Sequence, residues 1–208
     1  MKEQTMKEKM LRGSAWMTAG SIISRILGAL YIIPWYSWFG SDKLQANALY
    51  TKGYTVYSIF LMIAISGIPS AVAKQVAHYN SKNEYGVSKR LFKTSLMALF
   101  ILGAVCTLVF WLIAPFISQG DPRMVSIYRS LALALLVIPA MSLLRGYFQG
   151  FQDMAPSALS QLIEQFLRII YMLLATYITI KVMGLPFEVG VWQSTFAAFI
   201  GAVGGTLL

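Results

Sequence analysis

The chain has 208 residues, of which 57% are hydrophobic and 12% charged, with a mean hydropathy of +0.64. A soluble domain carries about 25% charged residues, so the composition excludes an ordinary soluble fold and points to an all-α, polytopic membrane protein. The formal net charge of +9 does not by itself call for nucleic acid, because the basic residues must first be placed relative to the apolar spans.

Residues 1–13 form a short polar leader, with Lys2, Lys7, Lys9 and Arg12 against Glu3 and Glu8. The apolar run that follows is too long for a signal peptide and lacks an A-x-A-like cleavage site, so it reads as a retained first helix. This first span covers about 14–39 and holds one ionisable group, Arg25. At the helical rise Arg25 lies about 16 Å in from Ser14, near the middle of a bilayer. An arginine there costs about 2.5–3.5 kcal/mol and is tolerated mainly beside a wet cavity, a carboxylate or an anionic ligand. Trp16 at one end and Trp35, Tyr36 and Trp38 at the other fit interfacial aromatic belts. Pro34 is expected to bend or end the helix. Gly20, Ser24 and Gly28 make a small-residue ridge for close helix packing, and Arg25 is expected to follow that ridge into the bundle.

The second span, about 47–77, opens with polar and aromatic turns (Tyr50, Thr51, Lys52, Tyr54, Thr55, Tyr57, Ser58), unusual for a lipid-facing surface. Gly67 and Pro69 then interrupt it, which is acceptable at membrane depth where the break faces protein or a cavity. A basic connection with Lys82, Lys89 and Arg90 leads to the third span, about 91–117. That span has no charge between Lys93 and Asp121 and is expected to be the most lipid-exposed. A Gly-Asp-Pro turn precedes the fourth span, about 125–148, with Pro139 as an expected kink and Arg145 near its end. Pro156 starts the fifth span, about 156–183, which contains Glu164 and Arg168. The sixth, about 187–208, has a second small-residue ridge at Ala197, Gly201 and Gly205. Leu208 ends the chain within that span without a polar cap, so the sequence is expected to be cut. Cys106 is the only cysteine, so no disulfide framework exists.

With the N-terminus inside, ten basic residues fall on the cytosolic side and five on the other, leaving Arg25 and Arg168 intramembrane. That bias favours a cytosolic N-terminus and explains most of the net charge without nucleic acid.

Arg168 lies about 18 Å deep by the same rise, so it and Arg25 are expected at similar depth. Glu164 precedes Arg168 by four residues, the favourable order for a helical ion pair. Two readings follow. In the bland one, Glu164 and Arg168 form a structural pair. In the sharper one, Arg25 and Arg168 form a cationic site for phosphates, which suits the planar donor fork of arginine. Arg145 either extends that path toward the cytosol or snorkels. Lys52 either lines the outer half of a cavity or snorkels. His78 reads as an interfacial residue. There is no Ser/His/Asp set, no metal-ligand cluster and no P-loop, so neither an enzyme nor a cofactor or metal site is expected.

At SRILG (24–28), SGIPSAVAKQVA (66–77) and RGYFQGFQDMAPSALSQLIEQFLR (145–168), the chain resembles the polysaccharide-transport branch of the MOP flippases, the SpoVB/YtgP/MurJ-like group. The resemblance covers nearly the whole chain but only the first of the family's two six-helix lobes, so a second, C-terminal lobe is expected to be missing. It implies a central cationic cavity and translocation of a polyprenyl-diphosphate-linked saccharide, such as lipid II, by alternating access driven by an ion gradient or the membrane potential. It also implies a location in the cell (cytoplasmic) membrane, with the lipid-linked oligosaccharide and membrane lipid as partners. By position, Arg25 matches the arginine of the family's S-R-x-x-G motif, implicated in substrate binding. The chain departs from the Gram-negative-type pattern at Tyr31 and in Tyr57–Phe60, where that pattern has arginines, and at Asn47, where it has aspartate. The alternatives are a MATE-type drug or cation exporter, which predicts cavity carboxylates, and a non-transporting scaffold for cell-wall synthesis enzymes. A membrane-bound glycosyltransferase would need an acidic loop motif, which is absent.

Overall fold

A computed structural model describes residues 2–65 and 67–207, with side chains described for Leu11 and from Gly13 onward. Met1, Ser66, Leu208 and the leader side chains of Lys2, Lys7, Lys9 and Arg12 lie outside the described residues. The expectations for the leader charges and for the chain end at Leu208 therefore lie outside them too. No strand occurs among the described residues. The helices are α1 (Lys2–Leu30), α2 (Ile32–Phe39), α3 (Lys43–Ile65), α4 (Ile68–Ser81), α5 (Tyr85–Ile117), α6 (Pro122–Gly150), α7 (Ala155–Tyr177) and α8 (Phe187–Thr206). A π-helical turn, Ile178–Val182, extends α7.

The breaks follow from the backbone chemistry of proline and glycine. Pro34 has no N–H to give the Leu30 carbonyl four residues back, and α1 ends at Leu30. Gly67 takes the left-handed conformation (φ 70°) between α3 and α4, and Pro69 sits in the first turn of α4. Pro139 lies inside α6, which runs on through it. Beside it, the α5 backbone comes close because Gly103 has no side chain, and a Cβ there would stand 2.8 Å from the Leu135 carbonyl oxygen. Leu135 is the residue whose carbonyl the proline leaves without a helical partner. At the α5–α6 turn, Asp121 caps α6 by accepting the Arg123 N–H at 2.9 Å. The Arg123 guanidinium, hydrogen-bonded to it, holds its carboxyl below the usual carboxylate range.

Four stretches among the described residues are long and apolar enough to cross a membrane: Gly13–Ser81, Tyr85–Ile117, Pro122–Gly150 and Ala155–Val182. The first takes in both the first and second expected spans. Glu188, Gln193 and four glycines leave α8 outside this set.

The central helix is α6, which packs against α3, α4, α5 and α8. Its buried Tyr128, Leu131 and Leu135 meet Phe110 of α5, and Phe60 of α3 stacks on Phe110 at 4.5 Å. Gly146 and Gly150 of α6 admit α4. A Cβ at Gly146 would lie 2.6 Å from the Pro69 carbonyl oxygen, and one at Gly150 would lie 2.7 Å from Val76. The other flank of α5 is an apolar surface of Met97, Phe100, Ile101, Leu108, Leu112 and Phe116, all exposed, but the Ala155–Val182 stretch is buried still less, so α5 is not the most exposed span.

Candidate functional site

The α1 ridge packs on α7. Gly20 lies against Ala158, Gly28 against Gln165, and Gly13 against Met154. Contacts that rise together along both helices mean that α1 and α7 run parallel, with Gly28 level with Gln165. Arg168 is therefore level with about Tyr31, and Arg25 lies six residues lower, roughly 9 Å at the helical rise. Counting inward from expected helix starts places the two arginines at one depth, but the packing register offsets them.

Arg25 does not enter the bundle with the ridge. Ser24 is buried in the ridge, and the next residue along a helix points about 100° away, so Arg25 is exposed. It stands on a strip of small residues, Ser14, Thr18, Ser21 and Gly28, that continues in register to Ile32 and Tyr36. Those two residues line a pocket shared with Asn47, Tyr50 and Thr51 of α3. Ile23 and Leu30 lie on the far side of α1, and Ile22 and Ile26 flank the strip on its other edge, all four exposed. Arg25 thus lies on the strip of α1 whose continuation in α2 lines the pocket shared with α3.

That surface of α3 is built on helical spacing. Asn47, Tyr50, Tyr54, Tyr57, Leu61 and Ile65 fall three or four residues apart and share one face. With α6 and α7, its lower part closes a cavity of about 320 Å³ lined by Tyr54, Tyr57, Ser58, Arg145, Glu164 and Arg168 among others. Lys52 is not among its walls. Two residues from Tyr54, it lies nearly opposite on the helix, exposed beside Ile59 and Ile63. Of the expected site residues, the structure brings Arg145, Glu164 and Arg168 together, leaves Arg25 on a neighbouring strip, and turns Lys52 away.

Within the cavity the charges are unequally shared. Glu164 Oε2 accepts from Arg145 Nη2 at 2.8 Å, whereas its Oε1 stands 3.9 Å from Arg168 Nη2. Arg145 also donates from Nε to Ser160 Oγ at 2.9 Å, and Ser160 in turn donates to the Gly205 carbonyl at 2.6 Å. Arg168 Nε is buried without a hydrogen-bond partner among the described residues, as is the Tyr57 hydroxyl. One carboxylate set against two guanidiniums leaves the cavity net positive, with the unused donors on Arg168. The Arg145–Glu164 pairing has no sequence signal, since it spans 19 residues between two helices. The only hint is a lone carboxylate in a span that faces several basic residues.

The second ridge brings α8 over this cluster. A Cβ at Gly201 would stand 2.8 Å from the Glu164 carbonyl oxygen and 2.9 Å from Arg168 Cβ. Higher up, a buried hydroxyl network ties α2, α7 and α8. Trp35 Nε1 donates to Ser194 Oγ at 2.8 Å, and Ser194 donates to the Gly190 carbonyl. The single hydroxyl proton of Ser194 is then used, so Thr176 donates across their 2.9 Å contact.

Residues 10–208 match the model of the family described as polysaccharide biosynthesis protein. The chain is 41% identical to the lipid II flippase MurJ of Bacillus subtilis (strain 168), over 98% of this chain and 39% of that protein. It is 28% identical to stage V sporulation protein B of the same organism, over 97% of this chain and 38% of that protein. It thus spans about two fifths of the length of the curated relatives it matches. An outward-facing multidrug resistance MATE family transporter of the MOP superfamily superposes with a TM-score of 0.70 at 18% identity, covering 97% of this chain and 43% of that one. At that identity the likeness is one of fold.

Proposed function

The chain belongs to the polysaccharide biosynthesis protein family, and on that footing we propose that it forms a six-helix N-terminal lobe of a flippase for polyprenyl-diphosphate-linked saccharides. The carrying observation is the net-positive cavity in which Arg168 Nε is buried without a partner among the described residues. A diphosphate is the anion that an arginine fork fits, and binding it would satisfy groups that otherwise remain costly to bury. Arg25, on the strip whose continuation in α2 lines the pocket shared with α3, would hold the head group from the α1 side. The Arg145–Glu164 pair would form the cavity wall, and the polyprenyl tail would stay in lipid.

In this reading a second lobe closes the polar face, and the two rock between inward- and outward-open states. The breaks at Tyr31 and Gly67 and the proline in α6 would be compliant points. The N-terminus lies in the cytosol and the protein in the cytoplasmic membrane, as the bias of basic residues favours. The relative named as a lipid II flippase supports a cell-wall precursor as cargo. A cation exporter is disfavoured because the cavity's one carboxylate is already taken by Arg145.

The test is export of lipid-linked precursor in cells that depend on the native protein carrying this chain. Arg25→Ala and Arg168→Ala are each expected to cut export at least about tenfold, the loss of one charge-assisted contact, with precursor accumulating on the cytosolic leaflet. Unchanged export in both variants overturns the reading.

A further inference from the structure

Above the cationic cavity, the same face of α3 lines a second pocket that no charge enters. Its volume is about 220 Å³, and its walls include Trp35, Tyr36, Asn47, Tyr50 and Thr51. That is smaller than the roughly 300–1,000 Å³ of pockets for drug-sized ligands, so it has room for one ring rather than a whole head group. The walls are flat and fixed. Trp35 is 2% exposed and its indole N–H is already committed to Ser194, so it backs the pocket and holds the neighbouring tyrosine rings in place. Tyr36 meets Trp35 edge-on at 5.4 Å, and Tyr50 leans on it at 5.5 Å. The polar groups are neutral: the Asn47 amide and the hydroxyls of Tyr36, Tyr50 and Thr51. On the neighbouring turn Thr55 bonds only the Thr51 carbonyl, which leaves the Thr51 hydroxyl available.

The two pockets share no wall residue, but a run of tyrosines on α3 joins their linings. Tyr50 stacks toward Tyr54 at 4.6 Å and Tyr54 toward Tyr57 at 5.7 Å, and Tyr54 and Tyr57 line the cavity that holds Arg168. An aromatic box can also take a cation. Here the neighbouring arginines outnumber the single carboxylate, which disfavours a cation and favours a neutral group tethered to an anion. Aromatic faces beside amide and hydroxyl donors suit a sugar ring, whose C–H faces are apolar and whose edges carry hydroxyls.

We propose that the Trp35–Tyr36–Asn47–Tyr50–Thr51 pocket is the saccharide subsite of the lipid-linked substrate, seating one sugar ring while Arg168 holds the phosphate. This rests on the flippase reading above. The experiment uses the native protein in nanodiscs, with undecaprenyl diphosphate and undecaprenyl-diphosphate-linked N-acetylglucosamine as probes. Asn47→Ala/Thr51→Val, and separately Tyr36→Leu, are first checked for an unchanged melting temperature. Each is expected to weaken the sugar-bearing probe about tenfold, as the loss of hydrogen bonds or a stacking wall would, and to leave the bare diphosphate lipid unaffected. Equal weakening of both probes, or none, overturns the subsite. If the native protein binds neither lipid, the flippase reading fails on its own. The pocket is then judged by whether free N,N′-diacetylchitobiose quenches tryptophan fluorescence in the native protein but not in the variants: quenching that the variants lose upholds it, and its absence overturns it.

Discussion

Glu164 has two oxygens and two guanidiniums within reach, and it serves them unequally, at 2.8 Å for Arg145 and 3.9 Å for Arg168. The difference separates a paired arginine from one that keeps an unpartnered donor among the described residues. Arg145 ties α6 to α7 through Glu164 and Ser160, while Arg168 touches Glu164 only at long range. Removing one partner of a fully buried ion pair costs roughly 3–5 kcal/mol, and replacing both by apolar groups is often neutral. Side-chain exposures of 14–24% in this cluster pull the first figure down. Arg145→Met is therefore expected to destabilise by about 2–3 kcal/mol, Arg168→Met by less than about 1, and Arg145→Met/Glu164→Leu by less than Arg145→Met alone. Thermal unfolding in detergent followed by size exclusion measures all three. Equal losses for the two single arginine variants would mean that Glu164 is shared evenly.

Helix contacts in this chain are set by glycines, because inside a bilayer there is no hydrophobic gain from helix association and close packing must supply the attraction. Their roles differ by what a Cβ would meet. At Gly146 it would stand 2.6 Å from the Pro69 carbonyl oxygen, which belongs to backbone and cannot swing away, whereas at Gly86 it would meet nothing within 4 Å. Gly146→Ala is expected to cost about 1–3 kcal/mol as overpacking. Gly86→Ala is expected to gain about 0.5–1 kcal/mol, the helix propensity difference. Melting temperatures of the two variants should move in opposite directions. The sequence reveals much at this scale, because small residues at four-residue spacing mark a contact whichever helix answers it: both ridges, at Gly20–Gly28 and Ala197–Gly205, are contacts in the fold. It does not reveal how those helices slide along one another. The depth offset between Arg25 and Arg168 depends on where Gly28 meets Gln165, and the choice of Arg145 over Arg168 for Glu164 depends on the α6–α7 packing. A local i,i+4 rule sees only the partner on its own helix.

The molecule exposes two surfaces of opposite character. On the α5 side, large apolar residues run without a charge from Lys93 to Asp121, which suits acyl chains. On the other side, the strip of α1 carrying Arg25, the tyrosine face of α3 and the mouth of the Arg168 cavity are small, polar or aromatic, which suits a wet space. A surface of that kind fits a bilayer only if the turns joining the helices alternate between its two faces, so the α4–α5 and α5–α6 turns must lie on opposite sides. The first carries Lys82, with Lys89 and Arg90 just inside α5, and the second carries Gln119 near an exposed Asp121–Arg123 pair. Cys106, the chain's own thiol, is 7% exposed and set among apolar neighbours, so it should stay silent toward a charged maleimide. In intact cells that reagent should label Gln119→Cys and spare Lys82→Cys, and permeabilising the membrane should bring the Lys82→Cys signal up to match. The opposite pattern would invert the orientation that the basic residues favour. It would also reverse the order of the two arginines along the membrane normal, so that a phosphate arriving from the cytosol would meet Arg168 before Arg25.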